Sequence, residues 1–158
     1  AVFMILWYRL SGLVAVVSLA TYIVLILAIF KLLPVTLTAA GIAGFILSLG
    51  IAVDANVLIF ERLKEELRTR EHLHEAIREG FARAWLSIRD SNLSSIISAL
   101  ILFWFGTSLI KGFALTLTIG IIISMFTAIT VTRNLLLSVA PTGKSKLTHF
   151  LFGSGFKN

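Results

Sequence analysis

The sequence predicts an all-α protein: a polytopic transmembrane helix bundle with a charged helical segment between its second and third spans. Three observations predict it. Of the 158 residues, 58% are hydrophobic and only 14% charged, against about 25% charged in an ordinary soluble domain. The apolar residues gather into four stretches, each meeting the length of about 20 residues that a bilayer crossing needs. The cations divide unevenly between the two sets of connections, as the positive-inside rule expects of a multi-pass protein. The same composition excludes intrinsic disorder, whose signature is low hydrophobicity. There is no cysteine, which excludes disulfide and thiol chemistry.

Residues 1–8 form an apolar run too short to span. They are expected to be the end of a helix whose beginning lies outside this sequence, since the basic start and small-residue cleavage site of a signal peptide are not present. The transmembrane domain is expected over 9–140, with spans at about 10–31, 35–60, 84–105 and 112–137. Lys31 and Pro34 mark the first exit. Gly106 and Lys111 bracket a tight turn, and Pro141 and Gly143 stop the last span. The tail, 141–158, is polar and basic apart from Phe150 to Phe152.

The charged segment 61–83 contains no proline, and its one glycine is Gly80. Its charges fall at helical spacing: Glu61 with Lys64 and Glu65, Glu66 with Arg70, Glu71 with Glu75. Some of these pairs attract and some repel. Leu63, Leu67, Leu73 and Ile77 supply a partial apolar face. The segment reads as one or two short amphipathic helices lying on the cytoplasmic surface, a solvated connector rather than a lipid-sensing or docking element. Placing it in the cytoplasm puts Arg9, Arg133 and the tail there too and leaves Lys31 and Lys111 outside. The formal charge of +6 then reflects topology, and no nucleic-acid partner is expected.

Charged side chains inside the spans are costly, at about 2.5–3.5 kcal/mol for a central Asp or Arg on insertion scales. Asp54 is such a residue. Its stripe carries Leu47, Gly50, Leu58 and Glu61, while a second stripe of the same helix carries Gly41, Gly44, Ser48, Ala52 and Ala55. Small residues at this spacing let helices approach closely, so this helix is expected at the centre of the bundle. A carboxylate in low dielectric holds a proton more readily than one in water. Asp54 is therefore a candidate proton carrier, with a fixed inter-helix hydrogen bond as the structural alternative.

Arg89 and Asp90 lie at similar depth. Adjacent helical residues point about 100° apart, so they are not expected to address one partner. Arg89 reads as snorkelling to the headgroups. Asp90 borders a stripe of Ser87, Ser91, Ser94 and Ser98 and has no basic helical neighbour, so its partner is expected from another helix, a water file or a bound proton. Asn92 points to a different interface. Arg133 ends a helix whose small-and-polar stripe is Gly112, Thr116, Gly120, Ser124 and Thr127. It reads as an interface anchor, with pairing to Asp54 or Asp90 as the alternative. Glu61, Arg89, Asp90, Asn92 and Arg133 form the candidate supporting set around Asp54. Gly41, Gly44, Ser48, Gly120 and Ser124 are the expected packing positions. No metal-ligand spacing is visible: His72 and His74 lie on different faces and His149 is in the tail. No nucleophile–base set or phosphate loop is present, so neither a cofactor nor a catalytic residue is expected.

The stretch Gly41 to Glu66 reads GIAGFILSLGIAVDANVLIFERLKEE, and its core is AVDANVLIFER, Ala52 to Arg62. EAIREGFARA follows at Glu75 to Ala84, DSNLSS at Asp90 to Ser95, GTSLIKGFALTLTIG at Gly106 to Gly120 and SMFTAITVTR at Ser124 to Arg133. In order and spacing, over about residues 1–140, these motifs resemble the SecD/SecF family of protein-export membrane proteins, within the resistance-nodulation-division (RND) superfamily. Ser91 and the Ser94–Ser95 pair depart mildly from the family's frequent D-A-N-L-T-T, and the tail has no match. The resemblance implies half of an RND-type membrane domain, paired with a SecF-like subunit that is either separate or fused. It implies action beside the SecYEG channel on preprotein substrates, with a YajC-like subunit as a further candidate partner besides membrane lipid. It implies a non-enzymatic use of the proton gradient, with Asp54 at the position of the family's proposed proton-responsive residue. It implies a multi-pass protein of a bacterial inner membrane or its equivalent, whose first helix and large extracytoplasmic domain lie outside this sequence. A proton-coupled small-molecule exporter of the same superfamily is the alternative. A purely structural scaffold is opposed by the carboxylates at depth.

Overall fold

The computed structural model describes residues 2–33, 35, 37–69 and 73–139. Pro34, Arg70 to His72 and the tail with Pro141, Gly143, His149 and the Phe150–Phe152 patch lie outside the described residues. So do the expected pairs Glu66–Arg70 and Glu71–Glu75. Everything regular among the described residues is helical: α1 (Val2–Leu32), α2 (Ala39–Thr69), α3 (Leu73–Phe105), α4 (Ser108–Thr127), a π-helical turn (Ala128–Thr132) and α5 (Arg133–Val139). Four stretches are long and apolar enough to cross a membrane: Leu10–Leu32, Ala39–Leu67, His74–Phe105 and Ser108–Ser138.

α1 is not one straight rod. The backbone of Gly12 lies against the backbone of Met4 and Ile5. In a straight helix residues eight apart are separated by about 12 Å. The chain therefore doubles back between them, and its first turns run beside the start of the long span. The missing side chain of Gly12 is what permits this approach. Met4 and Tyr8 from the first arm join Val14 and Ala15 from the second in one buried cluster with Phe60 and Leu63 of α2.

α2 is the central helix, and its most extensive contact is with α4. The two small-residue stripes read from the sequence meet there. A side chain at Gly44 would strike the Thr116 hydroxyl and the Phe113 carbonyl, and one at Gly120 would strike Ser48. The Thr116 hydroxyl also donates to the Gly41 carbonyl at 2.9 Å. Ser124 and Thr127 continue the buried stripe of α4. Close approach of this kind is the usual basis of helix association where lipid removes the hydrophobic incentive.

The charged segment does not lie flat. α2 and α3 carry straight through it, at 31 and 33 residues, or nearly 50 Å each against about 30 Å of hydrocarbon. Their ends form an antiparallel hairpin. Leu63, Leu67, Ile77 and Phe81 are buried in it, and Gly80 sits within 2.9 Å of the Leu63 Cα were it to carry a Cβ. The apolar face expected of a surface helix is used instead to zip two helices together. Beyond this hairpin α3 is peripheral. Its contacts run along Ala84, Ile88, Asn92 and Ala99, while Leu86, Leu93, Ile97, Leu100 and Ile101 are exposed.

Candidate functional site

The contact of Gly80 with Leu63 fixes the register of two antiparallel helices. Stepping equally along both brings residue 54 of α2 to the level of residue 89 of α3. Asp54, Arg89 and Asp90 thus share one depth. Their side chains, however, are exposed. Asp54 lies opposite the buried stripe of α2, which runs through Ser48, Ala52, Ala55, Ile59 and Leu63. Gly50, one turn away, has nothing within 4 Å of where a Cβ would stand, and Leu47 is exposed. The face of α2 that carries the carboxylate is bare among the described residues, and Asp54 has no hydrogen bond or ion pair there.

Arg89 and Asp90 depart from the expectation. They pair with each other, Arg89 Nε at 3.0 Å and Nη2 at 2.9 Å from Asp90 Oδ1. The 100° between their Cβ vectors is bridged because the long arginine side chain bends back round the helix. The serine stripe beside them likewise makes no helix contact among the described residues. Ser91, Ser94 and Ser98 are exposed and bond to carbonyls of their own helix, Ile88, Asp90 and Ser94. Asn92, on the opposite side, is buried. Arg133 is exposed at the head of α5 and pairs with neither Asp54 nor Asp90. Among the described residues, the charged side chain that is buried is Glu66, 2.9 Å from Arg83.

Glu61 anchors the charged end of the Asp54 stripe. Its Oε1 accepts from the Tyr8 hydroxyl at 2.7 Å, and Lys64 lies 3.8 Å from its other oxygen. Tyr8 stacks obliquely on Phe60. Burial first, and then the hydrogen bond to Glu61, push the Tyr8 phenol above its ordinary pKa, so it remains a donor.

Sequence reasoning missed a buried polar chain at the same depth. Thr132 Oγ1 lies 2.7 Å from both Ser18 Oγ and Asn56 Oδ1. A hydroxyl has one proton to give, and the amide oxygen can only accept. Thr132 therefore donates to Asn56 and accepts from Ser18. Asn56 Nδ2 completes the chain on the Ala52 carbonyl at 3.0 Å. Thr132 closes the π-helical turn, and its hydroxyl sits between Ser18 of α1 and Asn56 of α2. A second link, the Tyr22 hydroxyl to Ser48 at 2.7 Å and Ser48 to the Phe45 carbonyl at 2.7 Å, ties α1 to α2 nearer the other end. The available signal was Ser11, Ser18 and Tyr22 at helical spacing on a highly apolar span. Polar groups in lipid must find partners. Ser11 and Ser124 hydroxyls are buried without one among the described residues. No group of three or more acidic or histidine side chains that could hold a metal occurs among those residues.

The comparisons with known proteins fit this arrangement. The family model for the protein export membrane protein SecD/SecF, C-terminal part, matches residues 1–141. The chain belongs to the SecD/SecF family. It is 65% identical to protein translocase subunit SecD of Thermobaculum terrenum over 86% of this chain and 27% of that protein. It is 59% identical to the SecD subunit of Synechocystis over 87% of this chain and 29% of that protein. The crystal structure of SecDF, a translocon-associated membrane protein from Thermus thermophilus, superposes with a TM-score of 0.86 at 41% identity, over 91% of this chain and 20% of that one. The chain thus spans less than a third of the length of each of these relatives. Family membership and the four apolar helices make it a multi-pass membrane protein of protein translocation.

Proposed function

We propose that this chain is the membrane part of a Sec export subunit that uses the proton gradient to promote preprotein translocation and release, with Asp54 as the group that responds to the proton. The observation that carries the proposal is the bare face of α2. A carboxylate about 10 Å inside the level of Glu61, beside a glycine with open space around it, cannot rest against lipid without a cost of a few kcal/mol. The SecDF relative, a single chain about five times as long, supports a second half-domain, SecF-like and either fused or separate, that covers this face and encloses the carboxylate. Glu61, held by Tyr8, lies on the same stripe toward the charged end and supplies a route for the proton out to water. The Arg89–Asp90 pair stands at the same depth and would meet the same covering half.

In this reading the hairpin of α2 and α3 is cytoplasmic, as the distribution of Lys and Arg favours, and the membrane is the bacterial inner membrane or its equivalent. SecYEG, a YajC-like subunit and the preprotein are the expected partners, and no residue is assigned a catalytic role. Protonation of Asp54 would change what it pairs with, and the gradient would supply about 2.3 kcal/mol per charge per 100 mV. The test is Asp54→Asn in the complete export complex. The variant should assemble with its partners yet lose the proton-dependent part of preprotein export, while Asp54→Glu retains some. Normal gradient dependence in Asp54→Asn would reduce Asp54 to a structural hydrogen-bonding residue. Coupled efflux of a small molecule would favour the exporter alternative.

A further inference from the structure

At the charged end of the bundle, α2, α3 and the π-helical turn leave a cavity of about 460 Å³. Its inner walls are apolar: Ile59, Phe81, Ile88 and Ala128 are buried there. Its rim carries two guanidinium groups, Arg78 from α3 and Arg133 from α5, with the indole of Trp85 between the wall and the rim. Both arginines are exposed and neither has a carboxylate partner among the described residues. Their neighbours are otherwise paired: Arg83 with Glu66, Arg62 with Glu65, Lys64 with Glu61. Two cations without a carboxylate partner among the described residues thus flank an apolar slot.

Depth identifies the occupant. Trp85 stands where the apolar part of α3 begins, the level at which indoles collect at a membrane interface. Arg78 lies two turns further out, about 10 Å along the helix, within the headgroup layer. We propose that this cavity is a binding site for an anionic phospholipid. The phosphate would sit between Arg78 and Arg133, and the start of an acyl chain would lie along Phe81, Ile88 and Ile59. A guanidinium presents a planar set of donors that matches phosphate oxygens two at a time, and the apolar floor gives the lipid a hold that a free anion lacks. The volume falls within the range of about 300–1,000 Å³ common to small-molecule sites. Lipid here would brace the π-helical turn, and with it Thr132, against α3. This inference stands apart from the proton reading of Asp54.

Trp85 provides a direct readout. With Trp7 and Trp104 replaced by Phe, Trp85 is the sole tryptophan of the chain. The chain is reconstituted in phosphatidylcholine bilayers containing a small fraction of brominated phosphatidylglycerol or, in parallel, brominated phosphatidylcholine. At roughly fivefold per cation near a membrane surface, the pair predicts about a 25-fold preference of the site for the anionic lipid, read as quenching of Trp85. Arg78→Gln with Arg133→Gln should abolish the preference. The corresponding double Lys substitution should keep most of it, with helicity by circular dichroism unchanged in both. Arg62→Gln, whose partner is Glu65, should leave it intact. Equal quenching by the two lipids would overturn the proposal, since the cavity would then not select an anionic headgroup, and equal loss in Arg62→Gln would overturn it in favour of general surface attraction. Displacement of the brominated lipid by millimolar inorganic phosphate would likewise overturn it and make the cavity a soluble-anion site.

Discussion

Adding one methyl group to each of two glycines should move stability in opposite directions. Gly120 and Gly50 lie in the interiors of α4 and α2. A Cβ at Gly120 would overlap Ser48 Cβ and Oγ and stand 3.1 Å from the Tyr22 hydroxyl. Ser48 cannot step aside. It is buried and held by Tyr22 and by the Phe45 carbonyl, each at 2.7 Å. Either α2 and α4 separate or the Tyr22–Ser48 link breaks, and overpacking of this kind costs about 1–3 kcal/mol. Alanine's advantage over glycine in a helix, about 1 kcal/mol, offsets only part of that. Gly50 has nothing within 4 Å, so Gly50→Ala keeps the whole advantage. Both variants gain that advantage, so in thermal unfolding of this chain in detergent they should differ by the overpacking cost alone, about 1–3 kcal/mol. That corresponds to roughly 2–12 °C in midpoint for a protein of this size. Ser48→Gly removes the obstructing Cβ and Oγ and should restore much of the loss in Gly120→Ala, a coupling of about 1–2 kcal/mol in the double-mutant cycle. Equal shifts for Gly120→Ala and Gly50→Ala, or no rescue, would refute the close packing of α2 on α4.

Thr132→Val keeps the shape but leaves Asn56 Oδ1 without its donor and Ser18 without its acceptor. A buried unsatisfied group costs about 1–3 kcal/mol, so the unfolding midpoint should fall, and Thr132→Ser should recover most of it. Single cysteines placed at His74, at one end of the 33-residue α3, and at Ser108, just beyond its other end at the start of α4, should be labelled by an impermeant thiol reagent from opposite sides of the membrane. Labelling from one side would contradict a crossing by α3.

What the sequence determined by itself is what depends on composition and on position along one helix. Apolar runs of about 20 residues have one stable fate, because lipid offers no partner to the backbone and a helix satisfies it internally. The stripes Gly41–Gly44–Ser48 and Gly112–Thr116–Gly120 were legible for the same reason: small residues at helical spacing mark a face. That they face each other is a tertiary fact, since a stripe does not name its partner. The serine stripe of α3 looks the same on paper and remains uncovered. The sequence marks 61–83 as helical but not as continuous with the spans; that α2 and α3 run on into it depends on an antiparallel neighbour, against which Leu63, Leu67, Ile77 and Phe81 bury one face. Arg89 and Asp90 were separated on paper by their Cβ directions and joined in space by the arginine's reach. The Ser18–Thr132–Asn56 chain joins residues up to 114 positions apart through a π-helical turn that no local pattern announces. Above all, the sequence marked Asp54 as out of place in lipid, from its charge alone. That it stands on the open side of the central helix was decided by how four helices pack, because burial belongs to the assembly and not to the residue.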